Sequence, residues 1–439
     1  MLAGSVLVGI MDRHMIGRLS HQALARGLRR VSLSGRYAWL VFAGSCAAYI
    51  LLSLAHHQPF HPGGRLGYFD LRVYRGAAHL VLTDGPLYDT RLVRWAHFTY
   101  PPLAAVALTP LAIFSLAVDE VLVTGVNVAA LVAVLWFALQ LPWGRSERDR
   151  QPSNLGAWSM VVVAAAAALW LDPITATLGY GQINLVIALM IVYDLSRRDT
   201  AKTKGAMIGL AAGLKLTPLI FVPYLLLSRR VRAAFVALGA FAATIALAFP
   251  LVPAAAQRYW GSLVLNTDRT GGAYTPTNQS LRGAILGLAP SFGSAWLIAV
   301  ASIVAIAGIA VAALASRRGD EAVGFSICAL TGLLVSPVSW AHHWTLAVPA
   351  LVLLAARTYG QTSSVGLIAI AGVALIGYSY LPEIVTNVWR HTLDQHVYPG
   401  RIGLPFGWTL AADSYVLLGL AVLAVACGHE YRTSRSVVP

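Results

Sequence analysis

The sequence predicts an all-α polytopic membrane protein. Three observations carry this reading. Only 11% of residues are charged while 57% are hydrophobic, against about 25% charged in a soluble domain, too few to keep the surface of so long a chain wet. Apolar runs of about 17–25 residues, the length that crosses hydrocarbon, recur along nearly the whole sequence. They are rich in Ala, Leu and Val, which suits helices that satisfy their own backbone polar groups rather than barrel strands. The formal charge of +14 sits in Arg clusters at the ends of these runs, so it reads as membrane topology and not as nucleic-acid binding.

In chain order, residues 1–36 form a basic tail in which Arg13, Arg18, Arg26, Arg29, Arg30 and Arg36 face a single acid, Asp12. No signal peptide is read there, because the first ten residues lack a basic start and a clear cleavage site. Membrane segments are expected at 37–55, 101–117, 121–141, 157–171, 182–195, 206–214 with 216–228, 231–250, 292–316, 322–337, 341–357, 364–381 and 412–428. That makes about 11–13 transmembrane or re-entrant helices in a domain over 37–428, followed by a tail at 429–439. Basic stretches at 145–150, 197–204, 229–232, 317–318 and 432–435 are assigned to the cytoplasm, with both tails. The first outer loop is then 56–100, and 172–181, 251–291, 337–343 and 382–411 are also outside. Two full crossings within 101–141 would put 145–150 outside, so one of them is expected to be incomplete or interfacial. The run Gly213-Leu214-Lys215-Leu216-Thr217-Pro218 interrupts 206–228. A pair of short helices is expected there, meeting near the outer leaflet with Lys215 at the junction. The three cysteines are far apart and read as packing residues.

Candidate chemistry lies in the outer loops. Asp70 heads an amphipathic stretch to Leu82, with Leu71, Tyr74, Ala78 and Leu82 on one side and Arg72, Arg75 and His79 off it, the pattern of a helix lying on the membrane surface. Asp70 sits at its N-terminal edge, where Asp is a favoured N-cap. Asp84 and Asp89 read as turn formers. Phe98-Thr99-Tyr100-Pro101-Pro102 fixes an entry into the membrane. Gln182 and Asn184 offer amides to sugar hydroxyls or to the cap of the next helix, and with Tyr74 and Tyr100 they are the candidates for sugar or acceptor contact. Lys215 is the one lysine set in apolar sequence. Such a cation faces a cavity or an anionic partner such as phosphate, or else snorkels to the headgroups. His342 and His343 can donate to a phosphate or anchor at the interface. Neighbours on a helix point about 100° apart, so at most one is expected to face a cavity that holds such a phosphate. The outer loops contain no Asp-x-Asp or other acidic pair, so no metal is expected.

The stretches DLRVY (70–74), FTYPP (98–102), GYGQIN (179–184), GLKLTP (213–218) and SPVSWAHHW (336–344) resemble, in order and spacing, glycosyltransferase family 87. These are polyprenol-phosphate-mannose-dependent α-mannosyltransferases of the GT-C superfamily, and the resemblance runs over about residues 37–428. It implies a GT-C fold with Asp70 as catalytic base. It also implies a polyprenyl-phosphate mannose donor held between membrane helices, its phosphate near Lys215, His342 and His343. The implied acceptor is a glycolipid, phosphatidylinositol mannoside or lipomannan, which receives mannose with inversion in an α-1,2 linkage outside the plasma membrane. No cofactor is implied. The 251–291 and 382–411 loops match no motif and are expected to select the acceptor. Asp268 is the next candidate base after Asp70. The competing reading is a transporter or flippase for a lipid-linked or anionic solute, which broken helices and a membrane lysine suit. The long asymmetric outer loops and the missing internal repeat weigh against it.

Overall fold

A computed structural model of the chain describes residues 35–54, 67–94, 96–144, 154–266, 269, 275–358, 380–385, 388 and 405–435. Nearly all of the basic tail, most of the expected 364–381 span, most of the 382–411 loop and Asp268 lie outside them. The apolar runs fold as helices, and among the described residues only two isolated β-bridges occur. In order these are α1 (Gly35–Leu54), α2 (Phe69–Leu82), α3 (Pro102–Ala107), α4 (Leu116–Leu139), α5 (Asn154–Ala168), α6 (Asp172–Tyr180), α7 (Asn184–Ser196), α8 (Ala206–Leu214) and α9 (Phe221–Leu227). The second half adds α10 (Val231–Leu251), α11 (Pro253–Arg258), α12 (Leu281–Leu288), α13 (Ser294–Arg317), α14 (Glu321–Val335), α15 (Val348–Thr358), α16 (Phe406–Ala412) and α17 (Ser414–Arg435). Polar caps and prolines set the boundaries. Ser115, Ser280 and Asp320 accept from backbone N–H groups at the starts of α4, α12 and α14, and Pro102, Pro173 and Pro253 open α3, α6 and α11.

Among the described residues α4, α10 and α13 are each long and apolar enough to cross a membrane. Two bent pairs, α5 with α6 at 73° and α16 with α17 at 70°, make broken spans or re-entrant segments, and shorter apolar helices pack among them. The protein is an all-α polytopic membrane protein. Residues 102–112 hold only α3 and a 3-10 turn at Thr109–Ala112. That is under about 20 Å of a roughly 30 Å core, so the first candidate crossing within 101–141 is incomplete and α4 is the full one. Two expected loops are partly helical. Residues 172–181 are mostly α6, which Pro173 starts afresh at the bend, and 251–291 contains α11, a π-helical turn at Tyr259–Leu263 and α12.

The interrupted segment is a helical hairpin. A Cβ on Gly205, Gly209 or Gly213 would stand 2.0 Å from Ala233 O, 2.2 Å from Ala237 O and 2.4 Å from Thr244 Oγ1. Rising numbers meet rising numbers, so α8 and α10 run parallel, and residues 217–227 must descend between them. The small-residue row lets the two backbones touch. At the base Asp199 takes Lys204 Nζ at 2.7 Å and Arg230 Nε at 3.1 Å. Lys215 is at the tip, in extended conformation after α8 ends. The tip lies level with Thr244, seven residues short of the end of α10 at Leu251, about 10 Å along the axis. Charge closes the base end. Buried Glu321 accepts from Arg230, from Tyr224 Oη at 2.7 Å and from Ser316 Oγ at 2.8 Å, while Arg357 reaches Asp320 at 2.5 Å. The candidate residues gather around the tip.

Candidate active site

Asp70 is placed by contacts on both sides of its helix start. α2 begins at Phe69, so Asp70 lies inside the first turn and is not the N-cap. That position is Tyr68, in a left-handed conformation (φ 43°, ψ 39°) with no side-chain cap bond. The Tyr68 N–H donates to Gly179 O at 2.9 Å, and its hydroxyl lies 2.9 Å from Thr124 Oγ1. α6 ends at Gly181 with φ 68°, and a Cβ there would stand 2.8 Å from Leu71 Cβ. Glycine therefore serves both the turn and the seating of α2 upon it. Further along, Arg75 pairs with buried Asp119 and donates to Leu111 O at 2.7 Å. The buried face is Leu71, Val73, Tyr74, Ala77 and Ala78. Leu82, expected on that face, is exposed because it ends the helix beyond the packed wall.

A cavity of about 560 Å³ opens beside this helix, and Asp70, Tyr74, Tyr100, Gln182, Lys215, His342 and His343 all line it. Gln182 Oε1 accepts from Tyr74 Oη at 2.7 Å and from Tyr100 Oη at 3.1 Å. With that oxygen occupied, the Gln182 amide meets Asp70 as a hydrogen-bond donor. Burial lifts the Asp70 carboxyl to about 6, against the Gln182 hydrogen bond and the Lys215 charge, which both pull it down. Asp70 is thus a candidate proton acceptor.

Lys215 Nζ donates to Asn184 Oδ1 at 2.7 Å and lies 5.3 Å from the centre of the Tyr100 ring. Asn184 Nδ2 donates to His342 O at 3.0 Å, an oxygen that also accepts from Thr177 and Thr345. Asn184 therefore stands behind the cavity wall rather than on it, and joins the hairpin tip to the histidine segment. It caps nothing, since the cap position of α7 is Ile183. Both histidines line the cavity, against the expectation of one at most. Residues Ala341–Ala347 form a 3-10 turn, and the cavity wraps around its start, so two directions of projection open onto the same space. The two rings meet edge to face at 4.7 Å, and His342 packs against Tyr180 at 5.3 Å. Glu383, Arg269 and Asn266 also line the cavity and escaped the sequence reading as individuals. Each is a single polar residue in a stretch without a motif, so no spacing marked them.

The family model described as glycosyltransferase family 87 matches residues 98–337, more than half the chain, including Tyr100, Gln182, Asn184 and Lys215. The chain belongs to glycosyltransferase family 87. Membership makes it a glycosyltransferase rather than a transporter or flippase. The chain is similar to a polyprenol-phosphate-mannose-dependent alpha-(1-2)-phosphatidylinositol mannoside mannosyltransferase of Mycobacterium tuberculosis, 32% identical over 88% of this chain and 89% of that protein. A protein of the same description from Mycolicibacterium smegmatis is 34% identical over 86% of this chain and 89% of its own length. A phosphatidylinositol pentamannoside mannosyltransferase of that organism is 30% identical over 92% and 90%. No solved structure matches the chain.

Proposed function

We propose that the protein transfers mannose with inversion from polyprenyl-phosphate mannose to a phosphatidylinositol mannoside, forming an α-1,2 linkage on the extracytoplasmic face of the plasma membrane. The observation that carries this is the lining of one cavity by a carboxylate raised to about 6 and a membrane lysine, Asp70 and Lys215. The relatives' descriptions supply the donor and acceptor classes. The acceptor hydroxyl attacks the anomeric carbon from the face opposite the phosphate. The bond from that carbon to the phosphate oxygen breaks, its electron pair stays on the phosphate, and the hydroxyl proton passes to Asp70. A β-linked donor then gives an α-linked product. Lys215 and the histidine pair oppose the charge that grows on the departing phosphate, the part that preorganised donors serve in a low-dielectric site. Gln182, fixed by two tyrosines, orients the base.

The test is transfer by purified protein in lipid nanodiscs supplied with radiolabelled polyprenyl-phosphate mannose and a phosphatidylinositol mannoside. The expected result is label in a larger glycolipid, in a linkage cut by an α-1,2-mannosidase. Absence of any mannolipid product, with the protein folded and both substrates present, would overturn the reading.

A further inference from the structure

The cavity contains a second strong cation for which the transfer step has no use. Among the described residues Arg269 and Lys215 are the Lys or Arg side chains that line it. They flank one aromatic cluster, of which Tyr100 lines the cavity and buried Tyr88 does not. Lys215 stands over the Tyr100 ring, and the Arg269 guanidinium lies 5.8 Å from the centre of the Tyr88 ring. Tyr88 Oη donates to Tyr100 O at 2.8 Å, which fixes the two rings in series. Arg269 is placed with care. It donates to Tyr88 O, Tyr88 stacks on Tyr259 at 5.3 Å, and Arg258 pairs with Asp89 at 3.1 Å. The strand of chain from α11 through the π-helical turn is thus strapped to the turn around residue 88, and it presents Asn266 and Arg269 to the cavity. One hydrogen bond to a carbonyl uses one of the five N–H groups of a guanidinium, whose planar fork matches a phosphodiester.

Resting on the function proposed above, we propose that Arg269 binds the phosphodiester of the acceptor lipid and so selects acceptors that carry one. The donor contributes one phosphodiester, and Lys215 stands beside the base to meet it. A sugar acceptor built of hydroxyls alone is neutral and brings this half-buried guanidinium no counter-charge. An acceptor built on phosphatidylinositol brings one further phosphodiester. Asn266 adds an amide suited to the same oxygens or to a neighbouring hydroxyl.

The experiment uses the full-length protein in nanodiscs, radiolabelled polyprenyl-phosphate mannose, and two acceptors with the same terminal mannose. One is a phosphatidylinositol mannoside and the other an uncharged alkyl mannoside. Arg269→Gln is expected to raise the KM for the charged acceptor by about tenfold or more, with kcat and donor KM unchanged, and Arg269→Lys to fall between. Wild type is expected to use the uncharged lipid at the raised KM, and the variant to match it there. A raised donor KM would assign Arg269 to the donor phosphate and overturn the proposal. Equal losses on both acceptors would reduce Arg269 to a brace for Tyr88, and unchanged kinetics would remove it from recognition. If wild type ignores the uncharged lipid, the split between donor and acceptor KM decides. Failure of wild type on every acceptor would instead strike the transferase reading itself.

Discussion

At the residue scale the proposed transfer depends on two groups whose roles should separate kinetically. Asp70→Asn keeps the shape and the contact with Gln182 but cannot accept a proton. It should leave donor binding intact and lower kcat by about 10²–10⁴-fold, the usual worth of a general base. With the carboxyl at about 6, wild-type kcat/KM should climb as pH rises through about 6, because only the ionised form accepts the proton. The variant's profile should lack that limb, and a shared limb would move the base elsewhere. Lys215→Ala should raise the apparent donor KM by at least about 100-fold, the scale of removing one partner from a buried charge pair. Lys215→Arg should rescue little, since a fork replaces a point charge. The gathering of Asp70, Gln182, Lys215 and the histidine segment was legible in the sequence because each belongs to a short stretch of unusual composition, while the entry of both histidine rings into one cavity was not. The work of Asn184 was not legible. Its partners are 31 and 158 positions away, and nothing local tells a hairpin tip from a sugar as the partner of an amide.

At the scale of elements, the hairpin that raises Lys215 depends on three glycines spaced four apart. Gly209→Val would drive a branched side chain into the Ala237 carbonyl, parting α8 from α10. Detergent-solubilised variant should melt earlier, by at least about 1–3 kcal/mol of stability, and show a raised donor KM because the lysine moves with its helix. Gly239 on α10 is the control. A Cβ there meets nothing within 4 Å, so Gly239→Ala should be neutral or gain up to about 1 kcal/mol. Equal melting of both variants would remove the close approach as the cause. The hairpin was readable from a lysine and a proline breaking an apolar run. The 73° bend between α5 and α6 was missed, although Asp172-Pro173 marks it. Sequence shows that a helix stops there, and only tertiary contacts, such as Tyr68 on Gly179, decide that the next residues coil again.

At the scale of the whole molecule, charge holds one end of the bundle and the candidate site occupies the other. Glu321→Ala leaves Arg230 facing a pocket built for a carboxylate and should cost about 3–5 kcal/mol in unfolding, while activity per folded molecule stays near wild type. A matching loss of specific activity would mean that the two ends are coupled. Orientation is open to a direct test. Thr83→Cys, with Cys46 and Cys427 replaced by serine, should react with a membrane-impermeant maleimide in intact cells. Labelling that waits for permeabilisation would turn the protein over and move the active site to the cytoplasm. Polytopic character was the plainest message of the sequence, since composition alone carries it. The number of true crossings was not, because a six-residue helix and a full span begin with the same apolar letters.

The position of Lys215 about 10 Å below the end of α10 puts the floor of the proposed reaction centre beneath the level of that helix end. A terminal sugar reaches such a floor with less bulk beside it than a branch point or an internal sugar does. For the transfer proposed here, growth would then be confined to the exposed tip of the acceptor, one unit per visit. Each product would have to be hauled clear before its new end could be offered again.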